Sequence, residues 1–168
     1  MLEKKLLIEL QEYVERNLFR LNFSFCESPK YSEEELCIDA LPMEMEAFIK
    51  KKRKPTFSQV LFSFIDKKGA SDSDIYKRAG IDRRHFSKIR SNPDYRPGKN
   101  TTIALAMALE LNKNQTDQLL STAGYSLSES DTFDLVIRFC LEKKIYSMHD
   151  VNQALDYFSL KPLAGVIE

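Results

Sequence analysis

The residues best suited to chemistry lie in one short stretch, Ser71–Asn92, which reads SDSDIYKRAGIDRRHFSKIRSN. Arg83, Arg84, Lys88 and Arg90 stand within eight positions there, with His85 and Ser87 between them. Arg and Lys are donors without acceptors, and the Arg fork fits two oxygens at once. The chemistry they suit is charge-assisted bonding to anions, above all phosphate oxygens and the O6/N7 edge of guanine. His85 and Ser87 would assist.

Catalytic patterns are missing from the rest of the chain. There is no GxGxxG, Walker A, HExxH or GxSxG. Cys26, Cys37 and Cys140 are scattered without a CxxC pair, and the two histidines, His85 and His149, are far apart. Zinc and a disulfide framework are both disfavoured, and the thiols suit a reduced, cytoplasmic setting. His149–Asp150 reads as a helix start, and Glu33–Glu35 as a solvated acidic loop. The reading is therefore non-enzymatic, with no cofactor and no metal.

The cationic stretch needs two helices to hold it. Ser71 is an N-cap with Asp74 three residues on, and Ile75 and Ala79 share one face. Gly80 follows, where a helix end tolerates positive φ. Asp82 caps a second helix. Phe86 and Ile89 face inward while Arg83, Arg84, Ser87, Lys88 and Arg90 face outward. This is the build of a helix-turn-helix, whose second helix enters the DNA major groove. A solvated basic corner is the plainer alternative.

Charge supports an anionic partner. The 168 residues carry no net charge, yet residues 50–100 hold 15 Lys/Arg against 5 Asp/Glu, a net of +10. Residues 1–49 are at −6 and residues 101–168 at −4. A basic middle between acidic flanks suits nucleic acid, or flanks that pack on the middle and neutralise it. No apolar run is long enough to span a membrane, so no membrane partner is expected. The first residues read as an amphipathic helix and not as a signal peptide.

In chain order, Leu2, Leu6, Leu10, Tyr13, Val14, Leu18 and Leu21 recur at helical spacing and predict a helix over 2–21. Its stripe is core or a partner seam, and Leu6–Leu21 is the expected homodimer seam. Residues 22–42 mix a short extended piece with an exposed loop, and this acidic segment is a candidate protein-docking site. Met43–Lys54 looks helical and ends in a Lys/Arg run. Lys50–Lys54 reads first as a solvated helix end and second as a grip on phosphates beside the main site, with Lys52 as its named contact. Thr56 with Gln59 makes a capping box for Phe57–Lys68. After the central pair, SNPDYRPGKN forms a loop whose Arg96 and Lys99 would touch the DNA backbone. Thr101 or Thr102 is expected to cap the apolar helix IALAMALELN, and Asn114 the helix that closes at Gly124. Ser128 with Asp131 would start Glu129–Lys144, and Ser147 with Asp150 would start Met148–Phe158. LKPLAGVIE trails as a loop or a docked tail.

IYKRAGIDRRHFSKIR, followed by TIALAMALELN and QTDQLLSTAGY, resembles the five-helix domain of the lambda-repressor and Cro superfamily. It is also similar to bacterial helix-turn-helix modules found alone or fused to macro domains. The likeness covers residues 56–125. It implies double-stranded DNA as partner and a bacterial or phage regulator, or a DNA binder in phage defence. Two positions depart from the pattern. Asn92–Pro93 stands where a Gly commonly ends the recognition helix. Ser71, Asp72, Ser73 and Asp74 stand where a phosphate-contacting Gln pair is usual, and two acids there would repel a phosphate.

The expected fold is all-α: an extension over 1–55, the module over 56–125 and a helix pair over 126–168. Arg83, Arg84 and Lys88 are the expected base readers. Arg90, Arg96, Lys99 and Lys52 complete the expected DNA-binding set with His85 and Ser87. The alternative is a protein-interaction adaptor on the same scaffold.

Overall fold

The structure, a computed structural model, describes residues 4–20 and 41–163, the side chains of residues 19, 20 and 41 excepted. The extended piece, the acidic segment and Leu21 lie outside the described residues. Among the described residues the chain is all-α. Nine helices follow one another: α1 (Lys4–Arg20), α2 (Leu41–Lys52), α3 (Phe57–Lys68), α4 (Asp72–Arg78), α5 (Arg83–Ser91), α6 (Lys99–Ala108), α7 (Lys113–Ala123), α8 (Thr132–Glu142) and α9 (Met148–Tyr157).

α6 is the centre. Ile103 through Leu109 are all buried, Ile103, Leu105, Ala106 and Met107 completely. α7, α4 and α9 pack around it. A helix apolar all round has to be enclosed, and full burial of each large aliphatic side chain contributes about 1.5–3 kcal/mol. Phe86 and Ile89, expected inside, are inside, and so are Phe64 and Leu105.

Polar residues set the helix starts. Thr56 and Gln59 close a reciprocal capping box on α3: the Thr56 hydroxyl accepts from the Gln59 backbone N–H at 3.4 Å, and the Gln59 side-chain Oε1 accepts from the Thr56 backbone N–H at 3.0 Å. Ser71, Asp82 and Ser147 cap α4, α5 and α9 as their types suggest. Three starts differ from expectation. α6 begins at Lys99 with Gly98 as N-cap, so Thr101 and Thr102 lie in its first turn, where the Thr102 hydroxyl donates to the Gly98 carbonyl at 3.1 Å. α7 is capped by Asn112 and not Asn114, because only Asn112 has a Gln three residues on to return the bond. α8 begins after Asp131, beyond Ser128.

α1 lies on α8. Leu10 and Val14 are 1% and 2% exposed, in the same buried cluster as α6. Tyr13 stacks edge-on against Phe139 at 5.3 Å and donates to Glu142 at 3.0 Å. Burial, then that carboxylate, pushes its phenol up to about 12. Lys143 pairs with Glu9, and the Tyr157 hydroxyl donates to Gln11 at 2.9 Å. The centre of the stripe expected to join two copies is thus filled within one chain, and Leu10 and Val14 are withdrawn from any seam. The tail docks as far as Leu163, which is 4% exposed and whose amide donates to Asn152 at 2.8 Å.

α2 contrasts with everything else. Each residue from Pro42 to Lys52 is exposed. Leu105→Ala is therefore expected to cost about 2–5 kcal/mol in urea unfolding, and Met45→Ala less than about 0.5 kcal/mol. Burial also pushes the Cys140 thiol from 9.0 up to about 12, with Asp150 adding to the rise. The folded chain keeps this proton where the unfolded chain releases it. Stability from this group is whole below pH 9 and falls as pH rises toward 12. The stability gap between wild type and Cys140→Ala is accordingly expected to narrow between neutral pH and about pH 10.5 in urea titrations.

Candidate nucleic-acid interface

α5 is nine residues long, and its inner side is fixed from three directions. Phe86 is 3% exposed, between the ring of Phe62 on α3 at 6.1 Å and that of Tyr76 on α4 at 5.8 Å. Ile89 is fully buried. The Ser58 hydroxyl of α3, itself buried, donates to the Ile89 carbonyl at 2.8 Å and satisfies an orphan acceptor near the helix end. The turn from α4 is tight: Ala79 is fully buried, Gly80 takes φ 63, and the Ile81 amide donates back to the Tyr76 carbonyl at 2.9 Å. A Cβ at Gly80 would meet the steric penalty of the left-handed region.

The expected cations divide into groups. Arg83, Arg84, Ser87 and Lys88 are exposed on the outer face of α5. Lys88 holds its amine 4.6 Å from the ring centre of Tyr95, in the loop that follows. The same Tyr95 presents its hydroxyl 3.1 Å from His85 Nε2. One aromatic side chain thus orients two of the expected contacts, and His85 is half-buried beneath it. The loop is itself braced: the Asp94 amide donates to the Asn92 side chain at 3.1 Å and the Tyr95 amide to the Asn92 carbonyl at 3.1 Å. Asn92–Pro93 therefore ends α5 without a glycine.

Arg90 is committed elsewhere. Its Nε lies 2.8 Å and its Nη2 3.1 Å from the two carboxylate oxygens of Asp72, while the guanidinium stacks 4.5 Å over Phe62. The acid expected to repel phosphate is thus neutralised by a cation expected to bind it, and the pair staples α5 to the start of α4. Asp74 turns to its cap, accepting from the Ser71 hydroxyl at 2.6 Å.

Lys99 is the clear correction. Its amine sits 2.6 Å from Asp134 Oδ2, and Asp134 is completely buried in the first turn of α8. The Ser128 amide donates to the same oxygen at 2.7 Å. A buried carboxylate requires such partners, so Lys99 holds α8 to α6 and does not stand free for phosphate. Lys52 lies exposed in the last turn of α2. Its neighbours Arg53 and Lys54 border an open groove of about 450 Å³, shared with Arg96 and Asp94 from the loop after α5 and with Ser121 and Thr122 of α7. Arg53 and Lys54, which the sequence offered only as part of the Lys50–Lys54 run, thus join Arg96.

Among the described residues no group of three or more His, Cys, Asp or Glu could hold a metal, and no helix is long and apolar enough to cross a membrane. Compared with protein-family models, curated proteins and solved structures, the chain finds no match. Lys99→Ala strands Asp134 and is expected to cost about 3–5 kcal/mol in urea unfolding. Asp134→Asn added to it should recover part of that loss, the mark of a structural pair.

Proposed function

We propose that α3 to α7 form a five-helix module of the lambda-repressor type and that the protein binds double-stranded DNA through α5. The observation that carries this reading is the outer face of α5. Arg83, Arg84 and Lys88 are exposed there, none has a carboxylate partner among the described residues, and Phe86, Ile89 and Tyr95 hold the backbone and Lys88 in place. Exposed donors without carboxylate partners, carried in a row on a held backbone, suit the acceptor edges of a major groove. Arg84 and Lys88, one helical turn apart, are assigned to bases. Arg53, Lys54 and Arg96 are assigned to phosphates beside them. His85 supports Tyr95, and Arg90 supports α5, so both act from behind the contact surface. The alternative, an interaction adaptor, gains nothing from Asp72, whose carboxylate is engaged by Arg90.

Fluorescence titration of duplex DNA against salt tests the reading. Arg84→Ala and Lys88→Ala are expected to cost about 1–3 kcal/mol on a preferred sequence and less on random duplex. Lys54→Ala and Arg96→Ala should weaken all sequences alike and lower the slope of log K against log salt by about one. A wild-type chain that leaves duplex DNA unbound at low salt and tens of micromolar overturns the proposal.

A further inference from the structure

α2 combines an unusual exposure with an ordered arrangement of charge. A helix of this length alone in water is marginal, at the lower edge of the ~12–15 residues at which helices begin to persist. Yet Met45, Phe48 and Ile49, at three- and four-residue spacing on one face, are 54%, 62% and 52% exposed. At about 100° per residue, Glu44 and Lys51 run along one flank of that stripe, Glu46 lies on the other with Lys50 turned further toward the back, and Lys52 falls within the stripe at its C-terminal end. Both flanks are acidic toward the N-terminal end and basic toward the C-terminal end. None of the four makes an ion pair among the described residues.

A second copy laid parallel would set Glu on Glu and Lys on Lys. Laid antiparallel, each flank meets its own counterpart with the ends reversed. Glu44 then faces Lys51 of the second copy and comes level with its Lys52, and Glu46 comes level with Lys50 of the second copy, within reach of that long side chain. The midpoint of the first pair falls between Ala47 and Phe48, and that of the second at Phe48. One register satisfies both, with a two-fold axis beside Phe48 that brings this ring onto its own copy. A flank pattern that satisfies both pairs in one self-complementary register is what an isologous contact needs. We propose that α2 is a self-pairing surface, packing antiparallel on the α2 of a second copy through Met45, Phe48 and Ile49 between the two charged flanks. The pairing is independent of DNA binding and distinct from the α1 stripe, whose centre is filled by α8.

So few side chains cover less than the ~1,200 Å² of a standard interface, so the dimer is weak and concentration-dependent. Sedimentation of the full chain from about 10 to 500 µM is expected to show monomer passing to dimer. Two variants read the register. Glu44→Lys with Glu46→Lys makes all four flank positions basic, and Lys50→Glu with Lys51→Glu makes them acidic. All four side chains are exposed, and far-UV circular dichroism checks that the helices persist.

Each variant alone is expected to dimerise at least about tenfold more weakly, and their equimolar mixture to regain wild-type association or exceed it. Phe48→Asp in both should abolish that rescue. A wild type monomeric throughout overturns the proposal, whether or not it sediments with anionic lipid vesicles. So do variants that dimerise as wild type does, a mixture that associates no better than its parts, or a rescue that survives Phe48→Asp.

Discussion

Nine residues form too short a helix to persist in water, so α5 exists only because something else holds it. That hold is the seating of Phe86 between Phe62 and Tyr76, with Ile89 sealed behind it and the Ser58 hydroxyl on its carbonyl. Once the inner side is fixed, the outer side follows from helical geometry: Arg83, Arg84, Ser87 and Lys88 have no other direction to point. The tight turn at Gly80 and the Arg90–Asp72 pair set how α5 leaves α4. The position of every outer cation is therefore a property of the core beneath it.

The second dependence is electrostatic. α8 carries a carboxylate, Asp134, into the interior, and the structure supplies Lys99 from α6 and the Ser128 amide. With α1 laid over α8 and joined by Tyr13 and Lys143, the first helix is tied to the same buried cluster as the last. Asp134, from the acidic C-terminal part, and Asp72, within the basic middle itself, neutralise specific cations of that middle, while Arg83 and Arg84 stay without such partners among the described residues. Net charge of the middle segment overstates what is free to meet an anion.

Much of the fold was legible because its signals are local. Thr56 with Gln59, Ser71, Asp82 and Ser147 state their helix starts within four residues. The failures occurred where local chemistry offers two answers. Asn112 and Asn114 are both good caps, and only the distance to Gln115 separates them. Gly98 caps α6 with no side chain at all. The site was half legible for a different reason. Periodicity tells which residues of α5 face outward, but not which outward cation meets an acid from elsewhere. Lys99 and Asp134 are 35 residues apart and Arg90 and Asp72 are 18, and neither pairing leaves a mark in sequence spacing. Tyr95 was visible only as a loop aromatic, and its grip on His85 and Lys88 belongs to the folded chain.

The enclosure of α6 also divides the chain's freedom to vary. From Ile103 to Leu109 every residue is buried, and α7, α4 and α9 pack around the helix. A change there has to be answered by coordinated changes on other helices. Arg83, Arg84 and Ser87 face solvent and support nothing behind them. Mutational drift can rewrite that surface one residue at a time while Phe86 and Ile89 keep the helix in place. Descendants of this chain can therefore diverge in the surface they present long before they diverge in shape.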